Sequence, residues 1–120
     1  MEIVPSDFER TISFYTELFG FKIKQRRKVE RPPLKEILFA ELNDSVIEFI
    51  DVENPTPVST GHPQVGYLRI AFEVEDMDNA IEYLKTRGVK ISREPVDLGT
   101  SKRAEIEDPD GLSIELRQWL

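Results

Sequence analysis

The chain has 120 residues, with 16 basic against 23 acidic side chains for a net charge of −7, and no cysteine. Its length sets one domain with room for two small repeated halves, and its acidic balance argues against nucleic acid as a partner, since Lys and Arg gather only in the short run Lys22 to Lys28. No apolar run nears the roughly 18 residues a membrane span needs, and the N-terminus lacks a basic segment followed by an apolar stretch; a soluble cytoplasmic protein without a membrane partner is expected, and the missing cysteines exclude disulfides, thiolate nucleophiles and sulfur-ligated zinc.

A short apolar start, Met1 to Val4, leads into a predicted helix with Ser6 as N-cap and Glu9 completing a capping box. Phe8, Ile12, Tyr15 and Phe19 recur at helical spacing, flanked by Phe14 and Leu18, and Gly20 ends the pattern. From Phe21 to Val29 the period becomes two, with Lys22, Lys24, Arg26 and Lys28 on a solvated face that suits a strand near a sheet edge. Arg31-Pro32-Pro33 breaks it, and Glu36 to Leu42 and Ser45 to Val52 follow as strands around the turn pair Asn43-Asp44. Residues 53 to 65 carry three prolines and a glycine without periodicity and read as a linker.

Tyr67 to Glu75 alternates cleanly, placing Leu68, Ile70, Phe72 and Val74 on one face and Tyr67, Arg69, Ala71 and Glu73 on the other. Asp76 caps a second helix whose buried stripe is Met77, Ala80, Ile81 and Leu84, and Arg87-Gly88 ends it. Val89 to Ile91 reads as a strand, Ser92 to Thr100 as loop, and Lys102 to Glu107 leads to Asp108-Pro109-Asp110-Gly111, which suits a type I turn. The strand after it sends Ile114 and Leu116 to the core and Ser113, Glu115 and Arg117 to the opposite face.

The two halves repeat each other. Asp7 to Tyr15 lies over Asp76 to Leu84 at an offset of 69, Gly20 to Ile23 over Gly88 to Ile91 at 68, and Ser45 to Phe49 over Leu112 to Leu116 at 67. Gaps fall only at turns, as a duplicated strand-helix-three-strand unit requires. Glu48 and Glu115 thereby become equivalent positions, each on the last strand of its half.

This duplicated unit, with Asp7 to Tyr15, Leu18-Phe19-Gly20-Phe21, Ile70 to Asp76 and the Asp108-Pro109-Asp110-Gly111 turn, resembles the vicinal oxygen chelate superfamily of glyoxalases, bleomycin-resistance proteins and extradiol dioxygenases. The resemblance implies an α+β fold of two βαβββ modules, about 1–52 and 66–120 joined by the 53–65 linker, with a cleft between curved mixed sheets. It implies a divalent metal (Ni, Mn, Zn or Fe) held by His and Glu side chains from the first and last strands of each half. Glu48 and Glu115 occupy the last-strand positions and are the candidate catalytic carboxylates and metal ligands. Arg69 stands where a His is usual, and the matching first-half position would precede Met1, so that an upstream start is one way the set could be completed.

A divalent Lewis acid needs about three protein ligands, and a guanidinium offers no lone pair and attracts carboxylates. Glu48, Arg69 and Glu115 are therefore expected to form a salt-bridged cluster without metal: a structural ion network, a recognition device for a small polar or anionic molecule, or a metal site completed otherwise. Arg103, Glu105 and Arg117 are expected on the same face, with Tyr67 and Trp119 as candidate pocket walls and the single histidine, His62, as an outside candidate in the linker. A small-molecule binder with no cofactor is the expected function. The alternative is a divalent-metal-dependent lyase, isomerase or epimerase, or dioxygenase. The resemblance also implies a homodimer.

Overall fold

The computed structural model describes residues 1–59 and 63–120, and its backbone divides into two compact units, Met1–Val58 and Ser59–Leu120. In the first, β1 (Glu2–Ile3) precedes α1 (Phe8–Ser13), which widens into a π-helical segment over Phe14–Leu18 before β2 (Lys22–Arg31), β3 (Leu34–Leu42) and β4 (Ser45–Val52). The second repeats that order as β5 (Ile70–Glu73), α2 (Met77–Thr86), β6 (Ile91–Asp97), β7 (Ser101–Glu107) and β8 (Ser113–Trp119). Each unit is a βαβββ module, so the fold is α+β with an internal duplication. Among the described residues no helix is long and apolar enough to cross a membrane.

The strand orders are β1-β4-β3-β2 and β5-β8-β7-β6, each with a parallel pair between first and last strand and antiparallel pairs elsewhere. In both sheets the helix joins the two edge strands, so it crosses the sheet and covers one face. Phe8, Ile12, Tyr15, Leu38, Ala40, Ile47 and Phe49 fill that interface in the first module, and Met77, Ile81, Leu84, Ala104, Ile106, Ile114 and Leu116 in the second. The registers Ile3↔Phe49 and Phe72↔Leu116 carry the offsets of 69 and 67 that align the two halves of the sequence.

Several element boundaries differ from expectation. Asp7, not Ser6, caps α1: its carboxylate accepts from the Arg10 amide at 3.1 Å, and Asp76 does the same for the Asn79 amide at 3.0 Å in α2. The first helix does not stay α-helical to Leu18. The Thr16 hydroxyl donates to the Ile12 carbonyl at 2.8 Å, competing for the acceptor an α-helical amide at Thr16 would use. The wider turn places Tyr15 against Phe14 and Phe49, with ring centroids 5.2 and 5.3 Å away.

β2 is an edge strand, as its basic face suggested, though Arg26 is drawn into ion pairs with Glu36 at 2.7 Å and with Glu9 in the first turn of α1. The strand expected over Tyr67 to Glu75 contracts to Ile70–Glu73. Among the described residues its partner is β8 alone, which begins at Ser113 just after a turn, so residues upstream of Ile70 have little strand to pair with. The segment expected as loop after Ile91 is instead β6. Pro95 hides the alternation, but it sits on an edge strand at a register irregularity between Arg93 and Val96, where a missing N–H is tolerated.

The turn before β8 forms as the sequence dictates. Gly111 donates its amide to the Asp108 carbonyl at 2.9 Å and takes φ 80°, while the Asp108 carboxylate accepts from the Asp110 and Leu112 amides, both at 2.9 Å. Asp108 is 5% exposed, so those two amides would be left poorly satisfied without it. Asp108→Ala is expected to cost about 1–3 kcal/mol of stability, read as a lower urea midpoint with an unchanged denaturant slope.

Candidate functional site

The face of the second sheet turned away from α2 collects the side chains that alternate with the core residues of β7 and β8. Arg103 and Arg117 lie directly opposite each other, as do Glu105 and Glu115 on the next rung. Like charges facing each other across a ladder repel. The structure resolves this along the strands and diagonally: Arg117 donates to Glu115 at 3.0 Å, Arg103 to Glu105 at 2.6 Å, and Arg103 also to Glu115. Arg69, just before β5, donates to the Ser113 hydroxyl at 3.1 Å and lies 3.6 Å from Glu105, and Arg117 reaches the Ser101 hydroxyl at 3.0 Å. These charged side chains are between 13% and 27% exposed, which shields the ion pairs from water and strengthens them.

Burial by itself would raise the Glu115 carboxyl, but hydrogen bonds from Arg103 and then Arg117 outweigh it and hold Glu115 below the usual carboxylate range. The Glu115 hydrogen bond in turn pushes the Arg103 guanidinium above its ordinary value.

Glu48, the equivalent residue of the first module, has opposite surroundings. Its neighbour on β1 is Glu2 and its partner on β3 is Phe39, with the pair Ile37 and Ile50 on the next rung. Burial, followed by the hydrogen-bonded carboxyl of Glu2 and its charge, pushes Glu48 up, partly offset by the N-terminal amine and Arg27. Within the second unit the expected pairing of Arg69 with Glu115 is corrected: Arg69 engages Ser113 and Glu105, while Arg103 and Arg117 take Glu115; within the first, Glu48 sits with Glu2.

Tyr67 lies in the coil two residues before Arg69 and is fully exposed, so it does not wall this face. Trp119 ends β8 with Arg117 5.5 Å from its ring centroid. His62 lies outside the described residues. The sequence reading placed Ser113 on this face but gave its hydroxyl no partner, and it passed over Ser101. Their signal was positional: Ser113 shares the parity of Glu115 and Arg117, and Ser101 that of Arg103 and Glu105.

The residues of the second module do not fit a divalent metal. One oxygen of Glu115 already accepts from two guanidiniums, and a third, Arg69, holds the position from which a first-strand ligand would come. Among the described residues no group of three or more His, Cys, Asp and Glu side chains is arranged to hold a metal.

A duplicated βαβββ module defines a class of proteins, and the comparisons with known proteins agree on it. Residues 1–116 match the family model of the Glyoxalase/Bleomycin resistance protein/Dioxygenase superfamily, and the chain belongs to that family. It is 34% identical to the lactoylglutathione lyase of Escherichia coli O157:H7, over 92% of this chain and 83% of that protein. It is 29% identical to lactoylglutathione lyase GLX1 of Arabidopsis thaliana, spanning 93% of this chain but only 40% of the plant protein's length. Among solved structures, glyoxalase I of Leishmania major superposes with a TM-score of 0.80 at 28% identity, covering 98% of this chain and 83% of the other.

The opposite environments of the two glutamates predict opposite effects of the same isosteric change. Glu115→Gln is expected to lower stability at neutral pH by about 1–2 kcal/mol. That loss should shrink as pH falls through the depressed folded value of Glu115, where the wild type forfeits the same contribution. Glu48→Gln is expected to raise stability above the elevated folded value of Glu48, and the gain should vanish below the ordinary carboxylate range. Urea unfolding of both variants across acidic to neutral pH checks the signs.

Proposed function

We propose that this chain binds a small polar or anionic molecule on the open face of its second module, without the full metal site of its family. The observation that supports this reading is the capture of Glu115 by Arg103 and Arg117, with Arg69 directed to Ser113 and Glu105. Three guanidiniums converge on Glu105 and Glu115, while Glu73, opposite Arg117, and Glu107, opposite Ser113, bring the carboxylates of the face to four, so the forks themselves and not a net charge carry the recognition. Guanidinium forks match carboxylate and phosphate oxygens, and partial burial strengthens each such contact. An incoming anion exchanges one carboxylate partner for another, so that binding costs little reorganisation.

A second reading is a divalent-metal-dependent lyase, isomerase or epimerase, or dioxygenase of the same superfamily, with Glu48 or Glu115 also moving a proton. Two observations favour it: the protonatable Glu48 carboxyl held beside Glu2, and the lactoylglutathione lyase names of its relatives. On either reading we propose a cytoplasmic homodimer, as the small members of the family suggest. A single-chain mass by light scattering would count against the dimer.

Elemental analysis after dialysis against Ni, Mn, Zn and Fe in turn, paired with calorimetric titration of acetate, malonate and inorganic phosphate at low salt, separates the two readings. Metal at background and saturable binding of at least one anion are expected, with affinity falling about tenfold or more in Arg103→Gln. Near-stoichiometric metal that is lost in Glu48→Gln or Glu115→Gln would overturn the binding reading in favour of the metal-dependent one.

A further inference from the structure

The edge strand β6, which the sequence concealed behind Pro95, brings two more residues to the same face. Arg93 lies opposite Glu105 and Val96 opposite Arg103, and residues directly opposite on paired strands share a face. Glu94, between them, pairs instead with Lys85 of α2 at 2.9 Å. Every other arginine of this face is engaged, Arg69 by Ser113 and Glu105, Arg103 by both glutamates, Arg117 by Glu115 and Ser101. Arg93 is exposed and, among the described residues, has no hydrogen bond or ion pair. Counting it, the face holds four guanidiniums and four carboxylates, Glu73, Glu105, Glu107 and Glu115, of which Glu107 is paired with Lys90.

Apolar surface borders this charge. Trp119 lies two residues along β8 from Arg117, on the same face by the period of the strand, and is 62% exposed. The Arg117 guanidinium lies 5.5 Å from its ring centroid, leaving the rest of the indole open. Val96 is 47% exposed beside Arg103. Single exposed apolar side chains are ordinary, but these two flank one guanidinium cluster. Strand spacings put the backbone of Arg103 about 8 Å and that of Arg93 about 16 Å from that of Trp119, so Arg103, with Arg93 reaching in from beyond it, meets an acidic group joined by a short chain to a ring on Trp119.

We infer that this face takes an elongated aromatic anion, whose carboxylate or phosphate is held by Arg93 with Arg103 and whose ring lies on Trp119 beside Val96. This rests on the anion-binding reading above and names its ligand class. Arg93 and Trp119 supply the selectivity, because the buried cluster alone treats any small anion alike. An unpaired guanidinium binds without first breaking an ion pair, and an indole face rewards a flat ring over a saturated one.

Trp119 is the only tryptophan of the chain, so its fluorescence reports on the site directly. Phenylbutyrate and phenylpropyl phosphate, titrated by calorimetry and by tryptophan emission, are expected to bind and to perturb Trp119. Neutral phenylbutanamide and saturated cyclohexylbutyrate should bind about tenfold more weakly or worse. Arg93→Gln should weaken phenylbutyrate about tenfold, and Trp119→Leu should erase the preference for the aromatic ring while sparing anion binding. Both positions are exposed, so both variants are expected to fold, which circular dichroism checks. Equal affinity for phenylbutyrate and cyclohexylbutyrate, or no change in Arg93→Gln, overturns the inference. If butyrate or inorganic phosphate then still binds and responds to Arg103→Gln, only the aromatic assignment has failed; if no anion binds, the anion-site reading fails with it.

Discussion

Ile114 and Leu116 have no exposed surface, and because side chains alternate along a strand, holding them under α2 obliges Ser113, Glu115 and Arg117 to the opposite face. β8 is also flanked on both sides, by β5 and β7, so its register sets theirs. The same parity on β7 buries Ala104 and Ile106 under α2 and puts Ser101, Arg103, Glu105 and Glu107 on the opposite face. The charged face is thus a consequence of core packing in the second module. Shifting either strand by one residue would bury the charges and expose the core.

Duplication gives the two modules one backbone plan and lets their open faces diverge. In the first module the positions around Glu48 are Phe39, Ile37 and Ile50, and its charged neighbour on β1 is another carboxylate, Glu2. In the second they are Glu105, Arg103 and Arg117 around Glu115. One glutamate is pushed toward its neutral form and the other is held as an anion. The divergence follows from the neighbours, burial and a second carboxyl for the one, two guanidiniums for the other.

The charged network also illustrates how placement decides the sign of an interaction. Arg103 facing Arg117 and Glu105 facing Glu115 would each be unfavourable as isolated cross-strand pairs. Set on adjacent rungs, each guanidinium finds a carboxylate along its own strand, and Arg103 reaches a second on β8. The arrangement holds the side chains in defined positions.

The duplicated βαβββ order, the caps at Asp76 and Gly88, the turn at Asp108 and the inward and outward parity of β8 were all legible in the sequence, because each depends on local periodicity or on one residue's backbone preference. The cap at Asp7 and the π-helical segment were not, since Ser6 and Asp7 compete for one role and a threonine hydroxyl alters the helix only when its carbonyl partner is in place. β6 was hidden by Pro95, which is compatible with a strand only at a bulge on an edge, and edges exist only once the sheet is assembled. The sequence by itself determined which residues could carry charge and, for β8, on which side of the strand they stand. Only the tertiary structure decided that Arg103 and Arg117, rather than Arg69, hold Glu115, because that choice depends on the register between β7 and β8, and register is a property of paired strands.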